Sequence, residues 1–174
     1  MALTDSTPTD AVISTGDEYE DAVQNTIELL LAFKADYNVG SIQDYDVVNM
    51  PINFPSLSVT YVSSELTKRT FGGKQNSKYT WDHFLNIWYY FANVEQKYRE
   101  AELRKFTSRI VKILLKYPTI NGFNNQVPAE VANVNVLERP LIDGFVASSR
   151  ITLIIHREFS VAHPITVQGQ SAVL

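Results

Sequence analysis

The three histidines are the side chains best suited to chemistry in a sequence that contains no cysteine. His156 and Glu158 are two positions apart in a predicted strand, so their side chains share a face. His163 follows closely, and His83 lies in another predicted strand. A zinc hydrolase needs about three such ligands converging on one point. Because the H-E-x-x-H and H-x-x-x-H spacings are absent, we interpret these residues as polar positions on an exposed or interfacial strand, and a metal-dependent hydrolase is the alternative.

Two other patterns resemble functional motifs without meeting their requirements. Gly72-Gly73-Lys74 lacks the G-x-x-x-x-G-K-[ST] pattern of a phosphate loop and is flanked by predicted strands. Four carboxylates that could pair for acid–base catalysis lie in predicted loops without shared periodicity; they are Asp44, Asp46, Glu138 and Asp143. No serine has a G-x-S-x-G setting. The sequence therefore predicts a protein that is not an enzyme, with no catalytic, cofactor-binding or metal-binding residues and no cofactor.

Basic residues gather around the Gly72-Gly73 pair, in a predicted hairpin tip that spans residues 68–78. The chain as a whole has a formal net charge of −4, so this cluster is a local charge contrast. It is either a solvated loop or an arm that docks onto an acidic patch of a neighbouring subunit. The four cations are Lys68, Arg69, Lys74 and Lys78.

The predicted strand at residues 79–91 carries aromatic side chains on both of its faces. Tyr89 and Phe91 belong to one face, whereas Trp88 and Tyr90 belong to the other. The second aromatic face is covered either by the chain's own helices or by a neighbouring subunit. With the four cations, Trp88 and Tyr90 complete the candidate subunit-interface residues.

The composition bounds the class of protein. A length of 174 residues suits one domain, and nine Tyr, nine Phe and two Trp argue against wholesale disorder. The acidic balance argues against nucleic acid as the main partner, because a binder needs a basic face to contact phosphates. No apolar run approaches the roughly 20 residues of a membrane span, and residues 1–16 do not have the pattern of a secretory signal.

Two amphipathic helices are predicted from the spacing of apolar residues. The first begins near Tyr19, carries acidic residues in its first turns and has its stop signal at Asn38 and Gly40. The second has Asn93 as N-cap and Gln96 as capping-box partner, and it extends to about Tyr117. Its apolar stripe consists of Leu103, Phe106, Ile110, Ile113, Leu114 and Tyr117, and its predicted solvated face of Arg99, Glu102, Lys105, Arg109 and Lys112.

Four strands are predicted, at residues 57–61 and 79–91, near Val134, and at residues 150–161. The order α-β-β-α-β-β predicts an α+β fold, with a small antiparallel or mixed sheet and two main helices packed on one face. We expect a flexible N-terminal arm at residues 1–16, a single α+β domain at residues 17–163 and a C-terminal tail at residues 164–174.

This arrangement resembles the tail terminator (tail completion) proteins of long-tailed bacteriophages. The similarity lies in element order and pattern over roughly residues 18–162. The segments that carry it are Pro55-Ser-Leu-Ser-Val-Thr-Tyr61, Asn93-Val-Glu-Gln-Lys-Tyr-Arg-Glu-Ala-Glu-Leu-Arg, Leu-Leu-Lys-Tyr-Pro118 and Arg150-Ile-Thr-Leu-Ile-Ile-His156.

The resemblance implies a structural virion protein without catalytic residues. Six copies form a ring on the last ring of tail-tube subunits, stop tube growth and present a surface to the head connector. The expected partners are other copies of the chain, the tail-tube protein and connector or neck proteins, with no membrane and with DNA only passing through the lumen. The expected location is the virion tail or neck, and the host cytoplasm during assembly.

Other functions stay open from the sequence. Within the same class, the chain could be another head–tail adaptor, neck or head-completion protein. A tail-tube protein fits less well, because the long central helix is a large helical share for a tube subunit. From other classes, the metal-dependent hydrolase and a small-molecule binding module remain as alternatives.

Overall fold

A five-stranded mixed β-sheet is the central layer of the protein. The computed structural model describes residues 14–39, 42–44, 54–69, 76–123, 127–136 and 146–162, and for residues 67–69, 76–77 and 160–162 it describes the backbone only. The strands are β1 (Ile42–Gln43), β2 (Ser56–Arg69), β3 (Asn76–Ala92), β4 (Glu130–Val136) and β5 (Val146–Ala162). Their order across the sheet is β1-β2-β3-β5-β4; β1 runs parallel to β2, and the other neighbours are antiparallel.

Both helices, α1 (Glu18–Leu31) and α2 (Gln96–Lys116), pack on one face of this sheet. Alternate strand residues point towards them because side chains alternate between faces. The fully buried residues include Leu57 and Val59 of β2, Leu85, Ile87 and Tyr89 of β3, Ile151 and Ile155 of β5, Leu29 and Leu30 of α1, and Leu103, Ile110 and Ile113 of α2. Each buried Leu or Ile side chain contributes about 1.5–3 kcal/mol. The predicted α+β fold with two helices on one face is confirmed.

The structure contains a strand that the sequence pattern does not predict. The two residues of β1 pair in parallel with Leu57 and Ser58 at the outer side of β2. A two-residue strand is too short for an alternation of apolar and polar residues to be recognised. The long strands also extend beyond their predicted limits, because pairing with neighbours continues through polar residues.

The beginning of α2 differs from the prediction. Glu95, not Asn93, occupies the N-cap position, and its side chain makes no capping hydrogen bond. The Asn93 carboxamide oxygen instead accepts from the Glu95 N–H at 2.8 Å, which is an Asx turn before the helix. Gln96 bonds forward, since its amide donates to the Glu100 carboxylate at 2.9 Å. The predicted capping box is therefore wrong.

The apolar stripe of α2 is confirmed, but its solvated face is only partly so. Arg99 is buried and donates to the Asn93 carbonyl at 2.7 Å. Arg109 donates to the carbonyl of Asp36, in the short 3₁₀ helix (Lys34–Tyr37) that follows α1. Each guanidinium donates to a backbone carbonyl, and that of Arg109 also lies 5.2 Å from the Phe106 ring, so neither arginine belongs to a fully solvated face.

A tight turn after α2 returns two apolar side chains to the core. Ile120, Asn121 and Gly122 have φ angles of 42°, 57° and 83°. Glycine and asparagine adopt this left-handed region readily, whereas a β-branched isoleucine rarely does. The side chains of Ile120 and Phe123 are buried in the main core, and this burial offsets the cost of the strained backbone.

We expect Ile110→Asp to unfold the protein. The Ile110 side chain is fully buried between α2 and the sheet, and an unpaired carboxylate there costs several kcal/mol against a typical total stability of about 5–15 kcal/mol. Thermal unfolding followed by circular dichroism should show loss of the cooperative transition. Ser108→Asp, at an exposed position of the same helix, is the matched control and should change stability by at most about 0.5 kcal/mol. A cooperatively folded Ile110→Asp variant would contradict this assignment of the buried face.

Candidate subunit interface

The two histidines in the described part of the chain, His83 and His156, do not converge on one point. His83 lies on the helix face of the sheet, opposite Ile155 in the register, whereas His156 lies opposite Asp82 on the other face. The sheet itself separates the two imidazoles, and no group of three or more potential metal ligands occurs among the described residues. His163 lies outside the described residues. The geometry thus separates His83 from His156, two of the residues that the hydrolase alternative would bring together.

The loop residues considered for chemistry contribute little to any site in the described part of the chain. Asp44 is exposed, directly after β1. Asp46, Glu138, Asp143 and the Gly72-Gly73-Lys74 segment lie outside the described residues.

His83 is a buried structural residue surrounded by aromatic rings. Its ring centroid lies 5.5 Å from that of Trp81, 6.1 Å from those of Tyr19 and Tyr61, and 6.2 Å from that of Phe123. Its Nδ1 is 3.5 Å from the Tyr61 hydroxyl, and its Nε2 has no hydrogen-bond partner among the described residues. Burial and, to a smaller extent, the nearby Arg157 lower the pKa of His83 to about 4, although Asp82 opposes the shift. The imidazole is therefore neutral at pH 7.

The sheet face without helices, which we call the open face, is polar near its centre. His156 Nδ1 lies 2.7 Å from a carboxylate oxygen of Asp82, and both side chains are half-buried. The Thr152 hydroxyl donates to the Asn86 side-chain oxygen at 3.1 Å. The Thr60 hydroxyl makes a longer bond of 3.4 Å to the Asn86 carbonyl. The polar groups of this face thus pair with one another across strands, which suits a surface that remains in contact with water.

The two aromatic residues of the open face, Trp88 and Tyr90, differ in how far they are buried. Tyr90 is buried in a small cluster with Val146, against which Phe54 packs. Trp88 is half-buried, stacks on Tyr90 with centroids 6.2 Å apart, and has the Arg150 guanidinium 5.4 Å from its ring. The helices lie on the opposite face and do not cover this pair. Of the two candidate interface residues, Trp88 is the one with surface available to a partner.

Three strands continue beyond the part of the sheet that the helices cover. On the helix face, Leu85 of β3 and Ile155 of β5 are the last members of the main apolar core in this direction, and the positions beyond buried His83 do not belong to it. We define the arm as residues 66–69 of β2, 76–81 of β3 and 157–162 of β5. The arm is thus a continuous three-stranded extension of the sheet.

The arm carries exposed apolar side chains on its helix-facing side. Tyr79 stacks on Phe159, with centroids 5.5 Å apart and an interplanar angle of 16°, and Trp81 lies 6.1 Å from Phe159. Leu66, opposite Trp81 in the register, is 56% exposed, and Phe159 is 36% exposed. The exposed apolar side of the arm is typical of a contact surface, because a partner would remove its apolar area from water.

The first turn of α1 holds the base of the arm. Arg157 forms an ion pair with Glu18, and its guanidinium lies 4.7 Å from the Phe123 ring. Tyr19 packs edge-on against Trp81 with centroids 5.5 Å apart. These contacts fix the direction in which the arm leaves the core.

Three of the four candidate cations belong to the arm. Lys68 and Arg69 are the last residues of β2, opposite Tyr79 and Lys78 in the register. Lys78 is exposed, the side chains of Lys68 and Arg69 lie outside the description, and so does the whole of Lys74. The antiparallel pairing of β2 with β3 confirms the predicted long hairpin, and Lys68, Arg69 and Lys78 lie near the end of β2 and the beginning of β3.

Sequence reasoning missed the apolar part of this surface. Leu66 and Phe159 have the same alternation as core residues, so nothing in the local pattern separates them from buried positions. The available signal is strand length, because strands of 14 and 17 residues are longer than a helix-covered core requires.

Comparisons with known proteins name no family for this chain. No protein-family model matches it, and no curated protein matches it. In the described part of the chain, no helix has the length and apolar character needed to cross a bilayer.

We expect His83 to make stability fall with acidification. The folded protein binds a proton at His83 only near pH 4, whereas the unfolded chain binds it near the ordinary pKa of 6.5. The contribution of neutral His83 is therefore complete above about pH 6.5 and is lost as the pH falls towards 4. After allowance for solvent screening, the loss is about 1–2 kcal/mol. Urea titrations at several pH values measure it.

The His83→Phe variant isolates this contribution. Phenylalanine keeps an aromatic ring among those that surround position 83 and cannot titrate. The variant should therefore lose less stability on acidification than the wild type. His156→Gln, on the open face, is the control and should retain the steeper dependence. If the free energy of unfolding has the same pH dependence in the wild type and in His83→Phe, His83 is protonated as readily in the folded protein as in the unfolded chain.

Proposed function

We propose that this chain is a structural virion protein, a tail terminator that forms a ring of six copies, caps the phage tail tube and joins it to the head connector. The observation that carries the proposal is the arm, a three-stranded extension with an exposed apolar side and a basic end. The element order provides additional support, because the described helices and strands follow the pattern that resembles tail terminator proteins.

The arm fits assembly better than it fits an isolated monomer. Exposed Leu66 and Phe159 are removed from water only if something covers the arm. A closed ring has a heterologous interface, in which one surface of a subunit contacts a different surface of the next copy. A projecting element with its own apolar and basic groups is suited to one half of such an interface.

The charge balance also agrees with a ring through which DNA passes. The chain has a net charge of −4, and a negatively charged lumen does not retain a polyanion because like charges repel. The basic residues at the end of the arm are then contacts between proteins. Another head–tail adaptor or head-completion subunit would use the same features, so it is the alternative within this class.

Reversing the charge of the arm should weaken association of the subunits. We expect Lys68→Glu/Arg69→Glu to shift the protein towards monomer with its circular dichroism spectrum unchanged, because complementary charge guides subunit register. Light scattering after size-exclusion chromatography gives the mass, and negative-stain imaging shows whether rings are present. Lys112→Glu/Lys116→Glu makes the same change of charge at exposed positions of α2 and is the matched control.

The wild-type protein sets the reference for this comparison. A mass of about six copies and ring-shaped particles would support the terminator. A wild-type chain that stays monomeric at the highest attainable concentration contradicts a ring that is stable by itself. A charge-reversed arm that assembles as well as the wild type would show that the cations are not part of the interface.

A further inference from the structure

At both lateral edges of the sheet, no further strand follows in the described part of the chain. β1 pairs with β2 only at Leu57 and Ser58, so nothing described pairs with the outer edge of β2 over residues 63–69. At the opposite side of the sheet, β4 pairs with β5 and with no other described strand. Unpaired edge strands are templates for the addition of another strand.

The two edges match in length and direction. The regular part of β2 after its irregularity between Tyr61 and Ser63 has seven residues, and β4 also has seven. Three successive antiparallel pairings make β4 run antiparallel to β2. A second copy that is rotated about an axis roughly along the strands therefore brings its β4 beside β2 in the antiparallel orientation. We propose that the subunits associate in this way: residues 63–69 of one copy pair with β4 of the next, an inference that rests on the ring proposed above.

The exposed apolar residues of the two edges lie on the same face of the sheet. Leu66 is on the helix face because it is opposite Trp81. Val134 is on the helix face because it is opposite Ile151. They are 56% and 39% exposed, although each is next to the core. Edge-to-edge pairing covers both.

Each of the two edges also has a charged residue at an open-face position. Arg69 pairs with Lys78, and Glu130 pairs with Ile154, positions that belong to the open face. Glu130 is exposed and begins β4, whereas Arg69 ends β2. Antiparallel pairing brings the beginning of one strand to the end of the other, and so brings these opposite charges together.

One register satisfies both conditions. If the irregularity of β4 between Val131 and Asn133 is retained, placing Glu130 opposite Arg69 also places Val134 opposite Leu66. A shift by one residue turns the side chains to the wrong faces. A shift by two residues moves Glu130 away from Arg69 and Val134 away from Leu66. The structure therefore points to a single preferred alignment.

The absence of cysteine from the sequence permits a direct test. Opposed Cα atoms in antiparallel strands are about 4.5–5.5 Å apart, which is within the usual range of about 4.4–6.8 Å for a disulfide. The Leu66→Cys/Val134→Cys variant should therefore form, under mild oxidation, a ladder of covalent multimers that ends at the closed ring on non-reducing gels. Leu66→Cys/Leu115→Cys, with its second cysteine at a 62% exposed position of α2, is the control and should give no ladder.

The outcomes of this experiment distinguish the proposed edge pairing from the proposed formation of a ring. A ladder from the first variant and none from the control supports the edge pairing. Rings without covalent ladders overturn the pairing and leave the terminator proposal standing. If Leu66→Cys alone converts fully to dimers, β2 pairs with β2 and the head-to-tail alignment is overturned. A wild-type chain that does not associate overturns both the edge pairing of free subunits and a ring that is stable by itself.

Charge exchange tests the register independently of disulfides. Arg69→Glu and Glu130→Arg should each weaken association about two- to fivefold, as expected for one exposed ion pair. The combined variant should recover most of the wild-type association measured by analytical ultracentrifugation. Additive weakening in the combined variant would overturn the proposed alignment.

Discussion

The burial of one face of the sheet beneath two helices is the constraint on which the rest of this structure depends. Two helices cover one face, so alternate residues of β2, β3 and β5 must be apolar and must remain on that face. A slip of one residue would turn Leu85, Ile87 and Tyr89 away from the helices, so the register of the long strands is firmly specified. The two described irregularities lie in the pairing of β2 with β3, between Tyr61 and Ser63, and of β4 with β5, between Val131 and Asn133.

The same constraint explains why similar polar residues behave differently on the two faces. On the helix face, His83 is held neutral because burial lowers its pKa. The hydroxyls of Thr107 and Ser149 lie 2.6 Å apart, which joins α2 to β5. On the open face, Asp82 and His156 pair across strands while keeping partial contact with water. The chemistry available to a side chain thus follows from its face more than from its residue type.

The arm arises from a difference in length between the strands and the covering helices. The apolar core ends at Leu85 and Ile155, whereas the pairing of β3 with β5 continues for several residues. Beyond that point the alternation of side chains persists without helices to cover it, so apolar groups reach solvent. A partner that covers these apolar groups removes them from water, and the proposed ring therefore uses the arm as a subunit contact.

The sequence by itself determined the two helices, the long hairpin, the apolar stripe of α2 and the α+β class, because hydrophobic periodicity is a local property. It also placed Trp88 on the face opposite Tyr89. Only the tertiary structure decided that His83 and His156 lie on opposite faces, that Arg99 is buried, and that Leu66 is exposed. These outcomes depend on which strands become neighbours and where helix coverage ends. Both are set by contacts between residues far apart in the chain, and such contacts leave no local pattern in the sequence.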